Sequence, residues 1–176
     1  MPSWPAVKTA FERATPALLL LVCAQRSGPA AGAELVDALG TKVQVPERVA
    51  RVVALAPSLA ELVAAMLGPQ ELDRLVGVTE QSDHPASLKS KKQVGPFHRF
   101  NLEAVMALKP DLVLATREGN PKDRVERLRE LGIPVVVVSG GNFREIADSM
   151  RLVGRALGGR PKPRGLPTSS RARSRR

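Results

Sequence analysis

The sequence predicts an α/β fold: a doubly wound, mostly parallel four-stranded sheet with flanking helices, preceded by a small β-hairpin. Three observations carry that expectation. Short apolar runs recur at residues 51–55, 75–78, 112–115 and 133–138, and continuous runs of this length suit strands covered on both faces. Between and after them lie stretches with apolar residues at helical spacing, opened by capping residues and closed by proline or glycine. Strands alternating with helices of ordinary length require right-handed crossovers, which place helices on both faces of a parallel sheet.

Each element has its own local reason. Residues 34–45 alternate in polarity around Gly40 and stop at Pro46, the pattern of a hairpin. After the first strand, Pro57 precedes Ser58 and Glu61, spaced as a capping box, and Leu59, Leu62, Val63 and Met66 share one helical face. The second strand leads into a long polar loop, residues 79–100, that holds both histidines. Asn101 caps a short helix with Leu102, Val105 and Met106 inward, ended by Pro110. Past the third strand, Asn120 reads as a cap with Pro121 at the first helical position, Val125, Leu128 and Leu131 as the buried stripe, and Gly132 as the stop. After the fourth strand, Asn142 and Glu145 form a second capping box, and Phe143, Ile146, Met150, Val153 and Leu157 predict one inward face. Ligands of such sheets sit beyond the carboxyl ends of the strands, so the loops after Leu55, Val78, Ala115 and Val138 are where function is expected.

The chain has 176 residues, 43% apolar and 25% charged, enough for one domain and too few for two full ones. Its net charge of +10 and pI near 10.8 are concentrated at the end. Residues 160–176 carry seven Arg or Lys and no acid, whereas residues 34–159 hold 17 basic and 16 acidic side chains. The body is therefore not a basic nucleic-acid domain. The tail, without periodicity or an apolar face, is expected to be disordered. Its charge suits nucleic acid or anionic lipid, but no aromatic residue interleaves its arginines to stack on bases.

At the other end, Lys8 and Arg13 precede an apolar run at residues 17–24 and the small-residue site Ala31-Gly32-Ala33, as in a secretory signal peptide over residues 1–33. A run of eight is far below a membrane span. Val22 stands before Cys23 where lipoprotein signals prefer a small residue, so no lipid anchor is expected there. The single cysteine excludes an internal disulfide and any CxxC chemistry.

No catalytic constellation emerges. There is no P-loop, and Gly140-Gly141 reads as a tight strand-to-helix turn rather than a dinucleotide fingerprint. Ser58 lacks a nucleophile elbow and a neighbouring base. A nucleotide-using enzyme on this sheet is accordingly the weaker alternative, and no resident cofactor or metal is expected. His84 and His98, 14 residues apart with Glu80 and Asp83 nearby, read either as solvated loop residues or, for one of them, as an axial ligand to a bound metal complex.

Four blocks together resemble a known family. They are Arg51-Val-Val-Ala-Leu-Ala-Pro-Ser-Leu-Ala-Glu-Leu62; Val76-Gly-Val with Ser82-Asp-His-Pro85; Val94-Gly with Asn101-Leu-Glu-Ala-Val-Met-Ala-Leu-Lys-Pro-Asp-Leu-Val113; and Leu131-Gly-Ile-Pro-Val-Val135. In this order they resemble the N-terminal lobe of periplasmic substrate-binding proteins of ABC importers for vitamin B12, haem and iron-siderophores, most of all the vitamin B12-binding type. The resemblance runs over about residues 34–158. It implies one of two α/β lobes facing a ligand cleft, a monomeric state, a small-molecule metal chelate as ligand, permease subunits as partners, no nucleic acid, no enzymatic activity and a periplasmic location. After residue 159 the Arg/Pro/Ser tail stands where the family has a connector rich in Ala, Glu and Leu, as a truncated or frame-shifted reading would give.

Carried onto this sequence, the resemblance places ligand contacts at Pro57 and Ser58, Gln81 and Asp83, Phe97 and His98, and Thr116 and Arg117. Phe97 falls where the vitamin B12-binding relative has a tryptophan, Thr116 where it has another, and Gln81 where it has a tyrosine, so one aromatic of three is kept. Glu103 matches a carboxylate that pairs with permease arginines, and its place just past the Asn101 cap also suits the helix dipole.

Overall fold

A computed structural model describes residues 32–158 of the chain. The expected signal peptide lies almost entirely outside these residues, as does the basic tail. Two strands, β1 (Ala33–Val36) and β2 (Lys42–Val45), pair antiparallel as the predicted hairpin, with Leu35 opposite Val43. The main sheet is wholly parallel and has five strands rather than the expected four. They are β3 (Val52–Ala54), β4 (Leu75–Val78), β5 (Lys92–Gln93), β6 (Leu112–Thr116) and β7 (Val135–Val138), in the order β5-β4-β3-β6-β7. The extra strand, β5, is two polar residues on the sheet edge, paired to Gly77 and Val78. An exposed Lys-Gln edge has no apolar signal to betray it, and a lysine there discourages pairing with another chain.

Four helices cover the two faces. α1 (Pro57–Glu71) and α4 (Phe143–Ala156) pack with the hairpin over one core that includes Leu59, Val63, Leu114 and Val153. The opposite core, around Phe100, Val113 and Leu128, lies with α2 (Leu102–Ala107) and α3 (Lys122–Glu130). Burying such side chains contributes about 1.5–3 kcal/mol each. α1 is interrupted where Gly68 adopts φ 69° before Pro69, a conformation that other residues reach only under strain.

Two predicted caps are not formed. α1 starts with Pro57 in its first turn after Ala56, and Ser58 stands exposed without capping the helix, because proline's fixed φ already sets the first turn. α3 follows Pro121 without a side-chain cap, its expected cap Asn120 being used elsewhere. The other two are present: Asn101 accepts from the Ala104 N–H, and Asn142 from those of Arg144 and Glu145.

The α4 stripe also departs from expectation. Val153 and Leu157 are buried, but Phe143 is 92% exposed, Ile146 44% and Met150 45%. The helix meets the apolar core only through its second half, so its regular apolar spacing overstates how much of it is covered.

The hairpin is locked to the β7 edge by a buried carboxylate. Asp37 accepts from the backbone N–H groups of Leu39, Thr41 and Val137 and pairs with Arg129 at 2.5 Å, while Ala38 donates to the Val137 carbonyl. Both oxygens of the Asp37 carboxylate are thereby engaged, as burial requires.

Candidate functional site

The strand order fixes where a ligand can sit. The chain runs from β3 outward through β4 to β5, then returns to lay β6 on the other side of β3. The connections therefore part at the carboxyl ends of β3 and β6, the position where open parallel sheets bind ligands.

One side chain knots that position together. Asn120 is 8% exposed; its Oδ1 accepts from the Thr116 N–H at 2.8 Å, and its Nδ2 donates to the carbonyls of Leu55 at 2.8 Å and Phe97 at 3.0 Å. Three connections, those after β3, β5 and β6, meet on one amide. In the sequence Asn120 reads as a helix cap, because Asn-Pro before an apolar period is a cap signature and nothing local points to Leu55, 65 residues away.

The turn bearing Phe97 is held at both backbone groups: Gln81 Oε1 accepts from its N–H at 3.0 Å and Asn120 donates to its carbonyl, while Thr79 and Ser82, in the loop that carries Gln81, share a buried hydroxyl bond at 3.0 Å. The Phe97 ring lies on Gly119 so closely that a Cβ there would stand 1.9 Å from its Cζ. Phe97 is consequently half-buried, while the next residue, His98, is exposed with its Nδ1 3.2 Å from the Gly119 carbonyl. The two rings are 4.5 Å apart, tilted by 46°.

The remaining nominated residues fall into three situations. Pro57 and Ser58 open α1 at the end of β3, with Ser58 exposed, and Asp83 is exposed in the loop after β4. Thr116 ends β6 with its N–H held by Asn120. Arg117 is engaged by Glu118 at 3.4 Å and Glu145 at 3.2 Å. Glu103, in the first turn of α2, is exposed and in no ion pair among the described residues.

A polar clamp that sequence reading missed joins the ends of β6 and β7 to α4. The Ser139 Oγ contacts both Glu118, at 2.7 Å, and Glu145, while the Gly140 and Gly141 N–H groups donate to the same two carboxylates. Burial alone would raise the Glu118 carboxyl, but the Ser139 hydroxyl, its own and the Gly140 amide, and Arg117 together hold it below its ordinary range. Glu145 is lowered chiefly by the Ser139 hydroxyl, against a raising effect of burial, with the Gly141 amide, Arg117 and Asn142 helping.

Two open grooves flank the fold. One, of about 430 Å³, adjoins the clamp and is lined by Arg117, Ser139, Glu145, Arg151, Leu152 and Arg155. The other, of about 470 Å³, is lined by residues that include Arg48, Val49, Gln70, Arg74 and Leu157 and shares no residue with the switch point. Among the described residues no three His, Cys, Asp or Glu side chains are placed to hold a metal ion, and no helix is long and apolar enough to cross a membrane.

Residues 52–161 match the family model described as periplasmic binding protein. The vitamin B12-binding protein of Pectobacterium carotovorum is 41% identical over 102 residues, covering 57% of this chain and 36% of the relative. That of Yersinia pestis is 39% identical over 122 residues, covering 69% and 41%. Among solved structures, the periplasmic vitamin B12 binding protein of Vibrio cholerae matches with TM-score 0.56 and 32% identity, over 64% of this chain and 43% of that one. A periplasmic heme binding protein from Pseudomonas aeruginosa matches with TM-score 0.56 and 31% identity, over 62% and 39%. The chain thus spans roughly two fifths of the length of the proteins it matches.

Proposed function

Because the chain belongs to the periplasmic binding protein family, we propose that it acts as the solute-binding component of an ABC importer, holding a metal chelate in the periplasm for a permease. The ligand class is a corrinoid, haem or ferric siderophore. The supporting observation is the knot at Asn120, which gathers the connections after β3, β5 and β6 into one rigid wall at the sheet's switch point. A wall fixed before the ligand arrives loses little conformational entropy on binding.

In this reading the residues divide their work. Pro57, Ser58, Asp83 and His98 face the ligand; Gln81 and Thr116 hold the Phe97 turn and the β6 end in place; Arg117 anchors the clamp beside them. No bond is made or broken. Glu103, exposed on α2, is the point offered to arginines of a permease, and a rim charge of this kind governs encounter more than ligand affinity. Export through the leader at residues 1–33 is part of the same proposal, with a mature chain beginning at Glu34.

Equilibrium dialysis of the full chain against cyanocobalamin, ferric haem and a ferric siderophore tests the reading. Saturable binding of one of them supports it. No binding of any up to about millimolar concentration, where only about 4 kcal/mol of affinity is needed, overturns it. Glu103→Lys should leave that binding unchanged while abolishing stimulation of the permease ATPase in reconstituted vesicles.

A further inference from the structure

We infer that the first half of α4 is the surface through which two copies of this chain pair, its apolar stripe laid antiparallel on the same stripe of a second copy about a two-fold axis beside Ile146. The inference stands apart from the solute-binding reading and departs from the monomeric state that the resemblance implies.

The stripe is what the fold leaves over. Phe143, Ile146 and Met150 are spaced by three and four residues, so they share one face of α4. Further along that face Val153 and Leu157 are buried, whereas Phe143 is almost wholly exposed and Ile146 and Met150 are nearly half exposed. Three large apolar side chains grouped together, an aromatic and a methionine among them, have the make-up of an interface centre rather than of scattered surface residues. Ala147 lies among them and is small enough for a second helix to approach closely.

The charges beside the stripe name the occupant. Arg144, Asp148 and Arg151 lie along one flank of it. Asp148 pairs with Arg151 at 2.8 Å, one turn on, and Arg144 is exposed with no ion pair among the described residues. Reversing a second α4 about an axis beside Ile146 sets Phe143 against the second copy's Met150 and brings Arg144 opposite its Asp148. A two-fold makes each contact twice. Laid parallel, the same flank would meet the side of α4 that carries Glu145 and Ser149, both already bonded to Ser139. The charges thus complement each other in the antiparallel direction alone. Because α4 begins at the carboxyl end of β7, overlapping the first halves of two such helices turns the carboxyl ends of the two sheets toward each other. The switch-point loops of both copies then lie near the middle of the dimer rather than at its ends.

Sedimentation equilibrium of the full chain over a range of concentrations tests the pairing. A reversible monomer–dimer equilibrium in the micromolar range is expected, weak because three apolar side chains and their rim make less than a full-sized interface. Phe143→Ser should weaken it about tenfold or more while leaving the circular dichroism spectrum unchanged. Arg144→Glu and Asp148→Arg should each weaken it about tenfold, since each sets like charges opposite one another at both contacts. Combined in one chain, the two substitutions should restore pairing to within about threefold of wild type, because the exchanged charges meet again. A chain that stays monomeric at every concentration overturns the inference. So does a dimer that Phe143→Ser leaves intact, which is held elsewhere, and so does one that the charge exchange fails to rescue, which is not antiparallel.

Discussion

Replacing Asn120 by leucine should cost about 2–4 kcal/mol, because it fills the site yet leaves the Leu55 and Phe97 carbonyls and the Thr116 N–H without their partner. Urea unfolding measures it. Asp37→Ala should cost a similar amount, about 2–4 kcal/mol, since Arg129 and three backbone amides lose the same carboxylate. Gly119→Ala differs in kind: the clash is with the end of the Phe97 ring, which can swing aside, so stability should fall by only about 1–2 kcal/mol while ligand affinity drops. In the sequence Gly119 carries no local signal, Asn120 reads as a cap and Asp37 as one residue of a hairpin, because their partners lie far along the chain. The nominated Gln81, Phe97 and Thr116 do meet around that knot, and the structure adds that Gln81 and Thr116 act through backbone contacts.

The clamp among Glu118, Ser139 and Glu145 belongs to the scale of elements, since it ties β6, β7 and α4 together. Both carboxyls are lowered in the folded chain from an ordinary value of 4.5. A depressed carboxyl stabilises the fold fully above its unfolded value, and that contribution is lost as pH falls through the folded value. The thermal midpoint should therefore hold steady above about pH 5 and decline below about 4.5, with a shallower decline in Ser139→Ala, measured by circular dichroism across pH 3–7. α4 carries a second prediction. Phe143→Ser should change stability by less than about 0.5 kcal/mol, because its ring is almost wholly exposed. Elements with strong apolar runs were legible in the sequence: the hairpin, β3, β4, β6, β7 and the four helices. β5 was not, because two polar edge residues leave no periodicity, and the exposed half of α4 was misjudged because spacing reports a face without reporting what covers it.

At the scale of the whole molecule, the parallel order of the sheet does the decisive work. Placing β4 and β6 on opposite sides of β3 parts the connections at the carboxyl ends of β3 and β6, and side-chain bonds then draw residues from three of them into a single wall. That wall was foreseeable from the alternation of strands and helices, whereas its fastening was not. The most direct check is an amide NMR map of the full chain titrated with cyanocobalamin. Shifts should concentrate at Ser58, Gln81, Asp83, His98, Thr116 and Arg117. Shifts centred on the groove at Arg48, Val49 and Arg74, with the switch-point amides unmoved, would contradict the account.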